Sequence, residues 1–134
     1  VIATEDDLPL IVELGREAHA GSAWDDVGTV FDEDSYIESC RHLMQGENSA
    51  VFVSERGTLW MAKFPLFFNH DETMAAEIFF YATKGGDALR REAERWAEGC
   101  LSTMGRHAKT DPRLDNLYKR AGYTPLEHIF IRRA

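Results

Sequence analysis

The chain has 134 residues, 44% hydrophobic and 11% aromatic, enough for one domain over residues 1–134 with a real core and too apolar for a disordered segment. Its net charge of −8 disfavours nonspecific binding to nucleic acid or to an anionic membrane and would suit a cationic partner such as an amine. Acidity that simply keeps the protein in solution accounts for that charge equally well. Cys40 and Cys100 are the only cysteines. Their separation defines neither a zinc site nor a disulfide framework, so no metal is expected and both read as buried thiols of a cytoplasmic protein. No apolar run reaches membrane-spanning length.

Residues 1–3 read as the end of a first strand. A helix follows, with Thr4 or Asp6 as N-cap, acids in its first turn, Pro9 early enough to be tolerated, and Leu8, Ile11, Val12 and Leu14 as its inner stripe. Gly15 is expected to bend or shorten it. Residues 20–30 have no clear period and read as a loop, with Trp24 beside Asp25 and Asp26 as candidates for substrate contact or as an ordinary exposed turn. A second helix is expected over residues 34–44, with Tyr36, Ile37, Cys40, Leu43 and Met44 on one face.

Residues 50–53 and 59–62, separated by Glu55-Arg56-Gly57, read as two strands and a turn. Pro65 limits pairing and suggests an edge or a bulge. The turn Asn69-His70-Asp71 leads into a third strand, so a meander is the simplest arrangement. That strand, residues 78–82, has no internal charge and reads as buried on both faces. It passes through Gly85-Gly86 into a helix. Leu89, Ala93, Trp96 and Ala97 form the apolar stripe there, with Arg90, Arg91, Glu94 and Arg95 on the other face. A strand, a glycine turn and a helix N-terminus form a recurrent phosphate grip, although two glycines before a helix are more often only a tight turn. Neither Gly-x-Gly-x-x-Gly nor the Gly-Lys-Ser/Thr ending of a nucleotide-binding loop is present.

Residues 100–104 read as a short strand, and residues 105–110 as a loop. Asp111-Pro112 starts a helix with Leu114, Leu117, Tyr118 and Ala121 on its apolar face, ended by Gly122. Residues 125–131 read as a final strand. The whole is an α/β domain, a mixed, mostly antiparallel sheet of about six to seven strands flanked by about four helices.

This order, with Gly86-Asp87-Ala88 heading the helix after the long strand, resembles the GNAT family of acyl-coenzyme A-dependent N-acyltransferases. The stretch Arg113-Leu-Asp-Asn-Leu-Tyr-Lys-Arg-Ala-Gly-Tyr123 is similar to that family's last helix, which carries an asparagine, then a tyrosine, and ends at a Gly-aromatic step. The family's loop motif is Gln/Arg-x-x-Gly-x-Gly/Ala. Here Thr83 stands at the Gln/Arg position and Gly86-Asp87-Ala88 supplies the Gly-x-Ala half. The resemblance implies acetyl-coenzyme A as co-substrate, an amine as acceptor, and a homodimer as a common assembly. The run Phe64-Pro-Leu-Phe-Phe68 is a candidate interface, or equally a buried strand end.

It also implies that Thr83, Lys84, Gly85, Gly86, Asp87 and Ala88 hold the coenzyme's pyrophosphate, and that the backbone of Phe79, Phe80 and Tyr81 pairs with its pantetheine arm. Asn116 matches a coenzyme-contacting position, or is a solvated helix residue. Tyr118 matches the general acid, or is packed for its ring alone. Glu77 is the candidate base, with His70, Asp71 and His107 as alternatives. The implied activity is transfer of an acetyl group to an amine of a small molecule or protein. The alternative is a domain of the same fold that binds coenzyme A or a protein partner without turnover.

Overall fold

In a computed structural model the chain is described over residues 1–105, 112–126 and 129–133. A 3-10 turn, Glu5–Asp7, leads into helix α1, Leu8–His19. The N–H of Thr4 donates to the Asp7 carboxylate at 2.8 Å, and Pro9 falls in the first turn of the helix, where its missing N–H has no helical partner to lose. Gly15 neither bends nor ends α1. It provides space, because a Cβ there would lie 2.4 Å from Cζ of Tyr36, whose hydroxyl donates to the Ile11 carbonyl at 3.1 Å.

The expected loop at residues 20–30 contains a short helix, α2, Ala23–Asp26, capped by the Ser22 hydroxyl, which accepts from the Asp25 N–H. Helix α3 spans Glu33–Gln45, and its N-cap Asp32 accepts from the Ser35 N–H at 3.0 Å. The side-chain hydroxyl and backbone N–H of Ser35 hold the Asp32 carboxyl below its usual range.

The sheet runs β1 (Ser49–Ser54), β2 (Arg56–Leu66), β3 (Asn69–Lys84), β4 (Leu101–Thr103), in that spatial order. The first three strands form the expected antiparallel meander. Helix α4, Gly86–Trp96, carries the chain across to β4, which lies parallel to β3. Helix α5, Pro112–Arg120, closes the described elements. The mixed α/β architecture therefore matches expectation, but the sheet has four strands among the described residues rather than six to seven.

Both missing strands have a physical reason. Residues 1–3 make one antiparallel bridge, Ile2 to Phe52, on the outer edge of β1, too short to count as a strand. Residues 125, 126 and 129–131 are irregular, and Leu126, Ile129, Phe130 and Ile131 are exposed, so no buried face fixes a register there. Glu127 and His128 lie outside the described residues, as do His107 and Asp111, the expected alternative base and helix cap.

Pro65 lies within β2, opposite Thr73 and beside a bulge. Pairing of β1 to β2 ends at Ser49 with Ala62, so Pro65 projects past β1 and one side of it faces no strand. On either side of it, Phe64, Phe67 and Phe68 are exposed, Phe68 to 83%, so this run is not a buried strand end.

Two cores form on the two faces of the sheet. Against α1 and α3 pack Val51, Val53 and Trp60, with Ile11 and Cys40 from the helices. Against α4 pack Phe52, Leu59, Met61, Ala75 and Phe80, with Leu89 and Ala93 from the helix. Cys40 is buried as expected, and burial pushes its thiol up to about 11, whereas Cys100 is only half-buried. No helix among the described residues is long and apolar enough to cross a membrane.

Candidate active site

The central strand is not buried on both faces along its length. Ala75, Ala76 and Glu77 are buried, whereas the next residue, Ile78, is 48% exposed. Register explains the break. Met61 pairs with Glu77 but its neighbour Trp60 pairs with Phe79, so Ile78 is an extra residue without a partner on β2. The bulge also resets the alternation of side chains. Glu77 lies across from Met61 on the α4 side, and Phe80 falls on that side too.

Immediately before this bulge β3 loses its other neighbour. Its parallel ladder with β4 ends at Ala76 opposite Thr103. Residues 77–84 thus continue with one edge unpaired by any strand among the described residues, for roughly 20 Å at strand rise. The fork between β3 and β4 opens at a buried carboxylate. Glu77 is 0% exposed, and its Oε1 accepts from the Gly105 N–H at 3.5 Å, just past the end of β4.

Tyr118 comes to the same place from α5. It is 7% exposed, and its ring packs edge-on against Tyr123 with centroids 5.6 Å apart. Burial raises the Tyr118 phenol above its ordinary range; Glu77 and Tyr123 raise it further and Arg90 opposes them. The structure therefore brings together the acid and the base named from the sequence. Asn116 is exposed and lies roughly 200° around α5 from Tyr118, so it is not gathered with them.

Past the fork, β3 leads to the head of α4. Lys84 is the last strand residue, and Gly85, at φ 80°, turns the chain in one step. No side chain caps this helix, so no side-chain oxygen takes up the N–H groups of its first turn. A Cβ on Gly86 would lie 3.2 Å from that of Ala82, which leaves the turn close against the strand.

Asp87 is not the bare negative charge its sequence position suggests. Its carboxylate takes Arg90 and Arg91 at 2.8 Å each, and the Arg90 contact chiefly holds its carboxyl below the usual range. Lys84 is directed elsewhere, to Glu55 at 2.9 Å, and the Thr83 hydroxyl faces the Arg56 carbonyl at 3.5 Å. Ala88 is exposed in the first turn. The anion-binding capacity of this turn thus rests on backbone N–H groups and the helix dipole.

Phe79 and Tyr81 send their side chains to the other face. The Phe79 ring lies 5.1 Å from that of Trp60, and the Tyr81 hydroxyl donates to Glu17 at 3.4 Å. Glu17 is in turn held by Arg56 at 2.6 Å. Only the backbone edge of Phe79, Phe80 and Tyr81 is left to face the fork. His70 and Asp71 are at the far hairpin of β3, seven and six residues before Glu77, and the structure does not gather them with Tyr118.

Sequence reading missed one group here. Arg90 is 8% exposed rather than solvated, with its guanidinium held between Asp87 and Glu94. The signal was present in its spacing. Arg90, Ala93 and Ala97 stand at i, i+3 and i+7, so Arg90 shares a stripe with residues that are buried.

A scan against known protein families matches none, and no curated protein matches. Solved structures do match. A transcriptional regulator from Bacillus halodurans superposes with a TM-score of 0.71 at 17% identity, covering 100% of this chain and 97% of that one. A protein described as an acetyltransferase, from Agrobacterium tumefaciens, gives 0.70 at 18% identity, covering 100% and 98%. The aminoglycoside acetyltransferase AAC(6')-Iy, solved with a coenzyme A-containing bisubstrate analogue, gives 0.70 at 11% identity, covering 100% and 95%. At such identities the likeness speaks to the fold alone, which this chain shares with those acetyltransferases.

Proposed function

We propose that the protein is an N-acetyltransferase that moves an acetyl group from acetyl-coenzyme A directly to an amine. The observation that carries this reading is the fork itself. Past Ala76, where no strand among the described residues lies on the β4 side, β3 runs from a buried carboxylate and phenol, Glu77 and Tyr118, to a helix N-terminus at Gly86 that no side chain caps. An extended ligand with amides along its arm and a pyrophosphate at its end matches that sequence of groups. The edge of residues 79–81 can pair with amides, and the N–H groups of Gly86, Asp87 and Ala88 can take an anion. Gly85 and Gly86 allow the close approach, and Arg90 and Arg91 offset the charge of Asp87.

The coenzyme supplies the acyl group as a thioester. Glu77 takes the proton that the acceptor amine loses as its nitrogen bonds to the acyl carbon. Tyr118 gives its proton to the departing sulfur. Its raised pKa keeps it protonated at neutral pH, as an acid must be. Each turnover leaves Glu77 protonated and Tyr118 as phenolate, so one proton passes from the first to the second, directly or through water, to reset the site. The acidic chain suits an acceptor that arrives as a cation, which releases one proton to solvent before its neutral nitrogen attacks.

The test is thiol release from acetyl-coenzyme A in the presence of monoamines, polyamines and lysine-bearing peptides. Turnover on one class, reduced about 100-fold in Tyr118→Phe, is the expected result. Coenzyme binding with no transfer to any amine would replace this reading with a binding domain of the same fold. Neither binding nor transfer would overturn it.

A further inference from the structure

Arg90 is a buried cation whose part in acyl transfer, as assigned above, ends at offsetting the charge of Asp87. Its Nη2 meets the Asp87 carboxylate at 2.8 Å, and its Nη1 donates to Oε1 of Glu94. The same Glu94 oxygen accepts from the Tyr123 hydroxyl at 3.0 Å, which also lies 3.5 Å from the Met104 sulfur. The Tyr123 ring then packs edge-on against Tyr118. An unbroken line of contacts therefore joins the first turn of α4, the proposed pyrophosphate site, to the phenol assigned as acid.

Such a line is a poor device for stability. Ion pairs taken out of water lose in desolvation much of what they gain in attraction, and apolar packing of similar volume commonly does as well. What a satisfied buried network does provide is a fixed geometry. Tyr123 is suited to its place in it. Burial, and then the Glu94 carboxylate, push its phenol up to about 12, so at neutral pH it remains a donor to Glu94. A donor fixed at its hydroxyl has the axis of its ring held in place, and the Tyr118 ring rests on that ring.

We propose that Arg90, Glu94 and Tyr123 are positioning residues. Held from Asp87 at the head of α4, they fix the ring of Tyr118 so that its hydroxyl faces the fork beside Glu77. This rests on the acyl-transfer reading for the role of Tyr118, but its test does not depend on turnover. None of the three touches the reacting atoms. They act through the orientation of the one residue that does.

The experiment uses full-length protein carrying 13C at tyrosine Cζ, with the Tyr118 resonance assigned by its loss in Tyr118→Phe. Glu94→Gln and Tyr123→Phe are compared with wild type, without ligand. Tyr123→Phe keeps the ring and removes only the hydroxyl, and Glu94→Gln leaves both rings in place, so each should fold. The expected result is a shifted or broadened Tyr118 resonance in both. With acetyl-coenzyme A and an accepted amine, kcat falls about tenfold to 100-fold while KM for the coenzyme stays within about twofold. A Tyr118 resonance unmoved in both variants overturns the proposal, even where the thermal midpoint falls, because that pattern describes a clamp between α4 and α5. A wild type that never turns over overturns the acyl-transfer reading instead, and the resonances still decide this one.

Discussion

The two faces of the sheet are built on opposite rules. The face toward α1 and α3 buries hydrocarbon and aromatic surface, with Tyr36 packed against Trp60 at 4.9 Å and Phe79 completing the cluster. Its ion pairs, such as Arg16 with Glu33 and Arg41 with Glu5, lie at the exposed rim. Such rim pairs contribute little. The face toward α4 and α5 instead holds a buried glutamate, a nearly buried arginine and two tyrosines with raised pKa values. Burial raises the Tyr36 phenol and the Cys40 thiol on the first face as well, but the charged side chains that are buried among the described residues, Glu77 and Arg90, both lie on the second. One face supplies cohesion, and the other holds charges where their pKa values and orientations can be set.

Substitutions on each face should therefore fail in different ways. The largest effect is expected for Glu77→Gln, which keeps the shape and removes the proposed base. Turnover should fall by about 10²- to 10⁴-fold in steady-state assays while the fold is retained by circular dichroism. Wild-type turnover would remove Glu77 from the chemistry and blur the division between the faces.

On the opposite face Gly15→Ala should act on stability alone. Alanine improves helix propensity by about 1 kcal/mol, but its Cβ would sit 2.4 Å from the rigid Tyr36 ring. Overpacking of that kind costs about 1–3 kcal/mol, so a net loss is expected in denaturant melts, with kcat unchanged. A gain in stability would mean that Tyr36 moves aside freely. Tyr36→Phe probes the same contact more gently. Losing the bond to the Ile11 carbonyl should cost about 1 kcal/mol, again without loss of turnover.

The smallest effect belongs to Asp87, an exposed group. Its folded-state pKa is depressed, so its contribution is present above the unfolded value of about 3.9 and disappears as pH falls through the folded value. The gap in thermal midpoint between wild type and Asp87→Asn should be modest at neutral pH and close in acid. A gap that persists at about pH 2 would assign the difference to something other than the carboxylate charge.

Periodicity made much of this architecture legible. The helix expected at residues 34–44 is Glu33–Gln45, and the strands expected at 50–53 and 59–62 are the cores of β1 and β2. Ser22, three residues before Asp25, was a readable cap for α2, outweighed by the loop-like composition around it. The site was legible only in part. Glu77 and Tyr118 stood out by position, and the structure gathers them. The bulge at Ile78 left no trace, because a run of apolar residues looks the same whether or not one of them is out of register. The parting of β3 from β4 beyond Ala76 is equally silent in sequence. It depends on where β4 stops, which is a matter of long-range pairing.

The measurement that bears most directly on the account is calorimetric titration of acetyl-coenzyme A into wild type and Ala88→Glu. Ala88 is exposed in the first turn of α4, where an added carboxylate favours the helix dipole and opposes a bound anion. The account predicts binding in the wild type that is weakened at least about tenfold in the variant, with the thermal midpoint held or raised. Equal binding in both proteins would place the coenzyme elsewhere, and no binding in either would contradict the assignment of the fork as its site.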